Sequence, residues 1–225
     1  MSITTHAELL TAVADYLGAR GTDLASVDDD FVLLCEARLN YGNADPDPRI
    51  QSPALRCREM EQRATATATG EFIALPSDYL AMKALKLTGT SPPRQLKAMP
   101  KENFDSLLDT SLGGTPVWYE VINNEIRLAP IPTSSALEVL YYKKIPALVS
   151  NDPNWLLSDH PGIYLYGTLF EAALYIKENS DVERFGRQFS SLVTGLNNME
   201  EEGAHASPLV ARSEVRAISN YYVRG

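Results

Sequence analysis

The sequence predicts an α+β fold, mainly α: a helical bundle with a small antiparallel β-sheet insertion and an extended C-terminal arm. Three observations predict it. Apolar residues recur at helical spacing near both ends of the chain. Between them, from Phe72 to Leu148, short apolar runs are punctuated by Pro, Gly and Asn, the pattern of strands and turns. After Gly203 the periodicity stops, yet apolar residues continue. The expected organisation is one domain over residues 1–203, then an arm over 204–225. Within the domain, helices occupy 5–66 and 160–202, and the β insertion covers about 67–145.

Thr5-His6-Ala7-Glu8 has the capping-box pattern, a hydroxyl residue with Glu three positions on. Leu9, Leu10, Val13 and Leu17 follow at helical spacing, and Gly18 and Gly21 close the run. Asp28-Asp29-Asp30 precedes Phe31, Leu34, Cys35 and Leu39. Carboxylates there offset the positive end of a helix dipole, so a second helix starts at this point. The three Asp lack the alternating spacing and distal Glu of a calcium loop. Residues 41–50 read as a loop. Ser52-Pro53 fits an N-cap and first turn, predicting a third helix through Leu55 and Met60. Arg56, Arg58, Glu59, Glu61 and Arg63 form its solvated face.

Ala64 to Thr69 alternates Ala and Thr, and Phe72 to Leu75 is apolar, so both read as extended until Pro76. Gly89, Pro92 and Pro93 mark a loop, and Phe104, Leu107 and Leu108 suggest a short helix over 101–108. Pro116 to Pro130 reads as a hairpin turning at Asn123-Asn124, because Asn tolerates positive φ. A third strand runs from Ala136 to Tyr142. Trp118, Val121 or Ile122, Ile126, Leu128, Leu137, Val139 and Tyr141 are the expected buried face. A sheet this small does not stand alone, so it is expected to pack on the helices.

Phe185, Phe189, Leu192, Leu196 and Met199 make one continuous helical stripe, expected to be core. The helix before it, Gly162 to Ile176, is apolar on nearly every side and contains Glu171. Such a helix needs cover on several faces, from the sheet, from the stripe or from a neighbouring subunit. Tyr164, Tyr166 and Tyr175 suit a partly wet boundary, since each hydroxyl needs a partner. In the arm, Leu209, Val210, Val215, Ile218, Tyr221 and Tyr222 are too many apolar groups for an idle tail, and Arg212, Arg216 and Arg224 add charge. Two readings stand level: an arm that orders against another surface, or a segment packed back on its own domain.

Composition excludes several function classes. The chain has 225 residues, 44% hydrophobic and 22% charged, within the range of globular domains. Its net charge of −9 opposes general nucleic-acid binding, which needs basic surface. A negative wall is nonetheless compatible with DNA sliding past it. No apolar run reaches the roughly 18–20 residues of a membrane span, and the N-terminus has no secretory pattern. Cys35 and Cys57 read as two buried thiols or, alternatively, a disulfide; a reducing cytoplasm favours thiols. No catalytic, cofactor or metal motif is present. Ser158-Asp159-His160 contains triad residue types, but adjacency in sequence is not triad geometry, and it reads as a turn and helix start.

The strand entry at Leu75-Pro76, the aromatic hairpin ending at Ala129-Pro130, the Tyr141-Tyr142 strand followed by Pro146-Ala147-Leu148, and the aromatic helix from Pro161 occur in that order. Together they resemble the head-to-tail adaptors of short-tailed bacteriophages, the tail tubular protein A type. The resemblance covers roughly residues 5–200. It implies a structural connector in the virion neck, made in the host cytoplasm, with no enzyme activity and no cofactor. It implies a twelvefold self-assembled ring between portal protein and tail nozzle, lining the passage of double-stranded DNA without sequence-specific contact. Under it, Leu209, Val210, Arg212, Val215, Arg216, Ile218, Tyr221, Tyr222 and Arg224 are the partner-binding candidates. Because like-charged subunits repel, the free chain is expected to be mainly monomeric and to form its ring on the portal. The rival readings are a soluble enzyme of unrecognised class and a DNA-binding regulator.

Overall fold

The computed structural model describes residues 3–205 apart from 25, 46, 101–103 and 105–112. The chain divides into two units. One holds residues up to Glu8 together with Arg58–Asp159, and carries the strands; the other holds Leu9–Cys57 and the residues from His160 onward, and carries most of the helices. The inserted unit is therefore longer than the 67–145 expected from the sequence.

In the helical unit, α1 (His6–Leu17), α2 (Ala19–Leu24) and α3 (Asp28–Tyr41) come first. The N-terminal cap of α1 forms one step out of register with a capping box. Thr5 Oγ1 accepts the Glu8 N–H at 3.3 Å, but the Glu8 carboxylate turns to Thr4, accepting its N–H and hydroxyl at 2.7 Å each. Those bonds, the Thr4 N–H first, hold the Glu8 carboxyl below its usual range. Gly18, at φ +62°, ends α1 in the left-handed conformation that glycine adopts without strain. Gly21 is no terminator; it lies inside α2, where a Cβ would stand 2.4 Å from the Ala14 carbonyl oxygen. The third expected helix does not form. Leu55 and Cys57 are buried two residues apart, an extended period, and the backbone here bonds to neighbours instead of to itself. Ser52 and Asn43 exchange N–H···O bonds at 3.1 and 2.8 Å, and the Leu55 N–H donates to the Leu39 carbonyl at 2.8 Å. Arg58–Met60 is a single 3₁₀ turn and Glu61 already begins a strand.

The sheet unit contains β1 (Glu61–Ala68), β2 (Phe72–Ala74), β3 (Tyr79–Leu87), β4 (Arg94–Gln95), β5 (Lys97–Ala98), β6 (Trp118–Ile122), β7 (Glu125–Ala129) and β8 (Ser135–Lys143). They form two four-stranded sheets, ordered β1-β8-β3-β4 and β2-β7-β6-β5. The expected single antiparallel sheet is thus two sheets, and the β5–β6 pair is parallel. Leu85, Leu87, Leu137, Val139 and Tyr141 from one sheet share a core with Tyr119, Ile126 and Leu128 from the other. Each sheet supplies the apolar cover the other needs. The β6–β7 hairpin turns at Asn123-Asn124 as expected, with Asn123 at φ 56°. Its inward residue is Tyr119, paired with Leu128, rather than Trp118, which pairs with Ala129 on the opposite face. Phe104 is buried, while the rest of the helix expected over 101–108 lies outside the described residues. A short helix the sequence reading passed over, α4 (Trp155–Asp159), is capped by Asn154, whose Oδ1 accepts the Leu157 N–H at 3.0 Å.

The chain returns to the helical unit with α5 (Pro161–Ile176) and α6 (Asn179–His205). Helix α5 is buried from Ile163 to Ala173 except at the half-buried Tyr166, matching its nearly all-round apolar sequence. Gly167 lets three helices meet: a Cβ there would lie 2.3 Å from Cys35 Sγ on α3 and 2.8 Å from Phe189 Cε2 on α6. Helix α6 also clamps the extended 51–56 segment. Asn197 accepts the Arg56 N–H at 2.8 Å and donates to the Ala54 carbonyl at 3.0 Å, and the Ser190 hydroxyl donates to the Gln51 carbonyl.

Candidate interaction surfaces

Two buried polar contacts in the helical unit join its helices to one another. Tyr164 is fully buried, and its hydroxyl donates to Glu36 Oε1 at 2.9 Å, so it is not at a wet boundary. Arg38 Nε donates to Glu171 Oε1 at 2.5 Å, and its guanidinium lies 4.8 Å over the Phe170 ring. Burial pushes the Cys35 thiol well above its usual range, and the nearby Glu171 and Glu36 carboxylates push the same way. Cys35 and Cys57 are both buried free thiols, which settles the disulfide alternative. The Ser158 hydroxyl donates to the Asn154 carbonyl, and His160 is the N-cap residue of α5. Among the described residues, no group of three or more His, Cys, Asp and Glu could hold a metal ion, and no helix is long and apolar enough to cross a membrane.

The sheet unit has its own partly buried ion cluster. Arg127 on β7 donates to Glu71 at 2.6 Å and Glu120 at 3.0 Å, with its guanidinium 5.7 Å over Phe72 and 5.3 Å over Phe104. The two carboxylates and the fixed rings make this a structural fastening of the outer face of that sheet. Glu120 faces Arg127 across the predicted hairpin, but Glu71 and Phe104 lie outside the strands and no local pattern brings them to Arg127.

The exposed apolar surface is concentrated on helices. Leu34 and Tyr41 are 51% and 66% exposed, and both lie on one side of α3 with the exposed Ala37 between them. Leu33, beside them, is 47% exposed. Seven residues separate Leu34 from Tyr41, so they stack along one stripe while Phe31, Cys35 and Leu39 fill the opposite, buried face. Leu34 points outward, away from Phe31, Cys35 and Leu39. A second surface is a groove of about 440 Å³ between the start of α5 and the last third of α6, lined by His160, Ile163, Leu192, Leu196 and Met199. The expected core stripe therefore divides. Phe185, Phe189 and Leu196 are buried with Val193, Leu192 is half-buried, and Met199 is 70% exposed.

The nine partner-binding candidates from Leu209 to Arg224 lie outside the described residues. Helix α6 runs two residues past Gly203, to His205.

Residues 4–212 match the family model described as SU10 adaptor protein. No curated protein matches the chain. The matched stretch includes both units and extends beyond α6 to take in Leu209, Val210 and Arg212, but stops before Val215.

Proposed function

The chain belongs to the SU10 adaptor protein family, a phage head-to-tail adaptor family, and on that footing we propose that it is the ring-forming connector between portal and tail nozzle. A member of this family is a structural component of the phage virion and associates with other neck proteins. In the proposed role, copies of the chain assemble into a ring, twelvefold by the sequence resemblance, that continues the DNA passage below the portal. The observation that carries this reading is the match over residues 4–212, which spans nearly the whole chain.

The surface chemistry supports it. A closed ring needs heterologous contacts, with two different faces of each copy meeting. The α3 stripe of Leu33, Leu34, Ala37 and Tyr41 is an apolar face left open on a folded unit, which is the usual mark of a protein contact. It supplies one side of the subunit contact. The net charge of −9 suits a passage that duplex DNA must cross without sticking. In this reading the arm that carries Leu209, Val210, Arg212, Val215, Arg216, Ile218, Tyr221, Tyr222 and Arg224 docks on the portal or an adjacent subunit.

The test is co-sedimentation of the purified chain with purified portal and, separately, with linear duplex DNA at physiological salt. The chain is expected to pellet with the portal and stay in solution with DNA. Binding to DNA but not to portal would replace the connector reading with the regulator one.

A further inference from the structure

We infer that the α3 stripe of one copy docks on the outer face of the β1-β8-β3 sheet of the next copy, around Leu140 and Tyr142. This names the second side of the subunit contact and rests on the ring reading.

The α3 face has an apolar part and an acidic end. Leu33, Leu34, Ala37 and Tyr41 are exposed. One turn toward the N-terminus from Leu33 and Leu34 lie Asp29 and Asp30, which are also exposed. Residues four apart share a side of a helix, so the two acids prolong the same stripe. From Asp30 to Tyr41 it runs about 17 Å.

The sheet face has the reciprocal pattern. Leu137, Val139 and Tyr141 of β8 turn into the core, so the alternating residues Glu138, Leu140 and Tyr142 turn outward. Register puts Arg63 and Ala84 on either side of Leu140, and Lys86 beside Glu138. Leu140, Tyr142 and Ala84 are half-buried and make an apolar centre. Lys83 closes one end, with its ammonium 5.6 Å over the Tyr142 ring and paired with Glu61. Arg63 and Lys86 both pair with Glu138, at 3.4 and 3.8 Å. In each pair the cation is the more exposed member. The Arg63, Lys83 and Lys86 side chains are 68%, 39% and 41% exposed, against 26% for Glu61 and 18% for Glu138. This face therefore presents positive tips around an apolar centre, on a chain of net charge −9.

Charge complementarity chooses a second copy as the occupant. The sheet face fits a partner that brings apolar side chains bordered by carboxylates, and α3 brings Leu34 and Tyr41 bordered by Asp29 and Asp30. The two faces differ, so the contact is heterologous. Each docked copy keeps one unused face, and the assembly extends until it closes. Like faces do not serve: sheet against sheet opposes cations, and α3 against α3 stops at a dimer.

Cysteine trapping between copies of the full chain tests this. Cys35 and Cys57 are buried and stay in place. Leu34 is exposed and Ala84 half-buried, so a cysteine at either position leaves the fold intact. Copies carrying Leu34→Cys are mixed with copies carrying Ala84→Cys and oxidised, once free at millimolar concentration and once on purified portal. The mixture is expected to form disulfide-linked dimers at least about tenfold faster than either variant alone. Leu34→Cys dimers forming alone at the mixture's rate would overturn the docking. Adding Asp30→Lys to the Leu34→Cys copy should slow the mixed cross-link about tenfold at low salt and less than about twofold in about 1 M salt. An unchanged rate at low salt also overturns it. Portal binding is scored separately. A chain that binds portal without the mixed cross-link refutes the docking and leaves the connector reading standing. A chain that ignores portal refutes the connector reading, and the free arm then decides the docking: an excess in the mixture upholds it, and none overturns it.

Discussion

Arg38 and Glu171 form a buried ion pair that ties α3 to α5, with Arg38 Nε donating to Glu171 Oε1 at 2.5 Å. Glu171 is the one charged residue in the otherwise apolar α5. Arg38 also donates to the Ile50 carbonyl at 3.0 Å, so one guanidinium joins two helices and the extended loop. Glu171→Leu leaves that guanidinium buried without its carboxylate. The expected loss is about 3–5 kcal/mol in denaturant unfolding, with much of it recovered in Arg38→Met/Glu171→Leu. Unchanged stability in the single variant would mean that the pair does not organise the helical unit.

Gly167 sets how closely α3, α5 and α6 approach. A Cβ at that position collides with Cys35 Sγ and Phe189 Cε2, and Gly167→Ala is expected to cost about 1–3 kcal/mol despite alanine's higher helix propensity. Trimming the neighbour as well, in Cys35→Ala/Gly167→Ala, should recover part of the loss. A thermal melt of the single variant matching the parent would show that the helices move apart freely.

Tyr141 gives the sheet unit an alkaline limit. Burial, and then its hydrogen bond to the Asp78 carboxylate at 2.9 Å, push its hydroxyl up to about 12. Unfolded Tyr titrates near 10, so below that pH both states carry the proton and the contribution is complete. Between about pH 10 and 12 the unfolded state loses its proton while the folded state keeps it, and stability falls by up to about 2–3 kcal/mol. Tyr141→Phe should be less stable at neutral pH and show a shallower decline over that window. Parallel declines in both proteins would contradict the assignment.

The α3 stripe separates assembly from folding. Tyr41→Asp and Leu34→Asp change exposed positions, so each should shift unfolding by less than about 0.5 kcal/mol. Both should abolish ring formation on the portal as seen by negative-stain microscopy. Rings of normal yield in both variants would place the subunit contact elsewhere.

The helices were legible where a local period carried them. Thr5 to Leu17, Asp28 to Leu39, Gly162 to Ile176 and the stripe from Phe185 all folded as helices, and Asn123-Asn124 turned the hairpin. The misreadings share a cause. Ser52-Pro53 imitates a helix start, but Asn43, Leu39 and Asn197 satisfy that backbone from outside it, and no local pattern reveals such partners. The pairing of β1 with β8 joins Glu61 to Tyr142 across most of the inserted unit, so the second sheet was equally hidden. Periodicity also marks Met199 as core without saying what covers it. Leu34 shows the same limit, since α3 is apolar on both faces and its sequence alone does not select the buried one.

The central claim is that this chain is a ring-forming connector beneath the portal, and cryo-electron microscopy of the chain assembled on its portal tests it most directly. The account predicts a closed ring of twelve copies coaxial with the portal, with the α3 stripe of each copy covered by its neighbour. Copies bound singly with Leu34 and Tyr41 facing solvent, or no density for the chain at the portal, would contradict it.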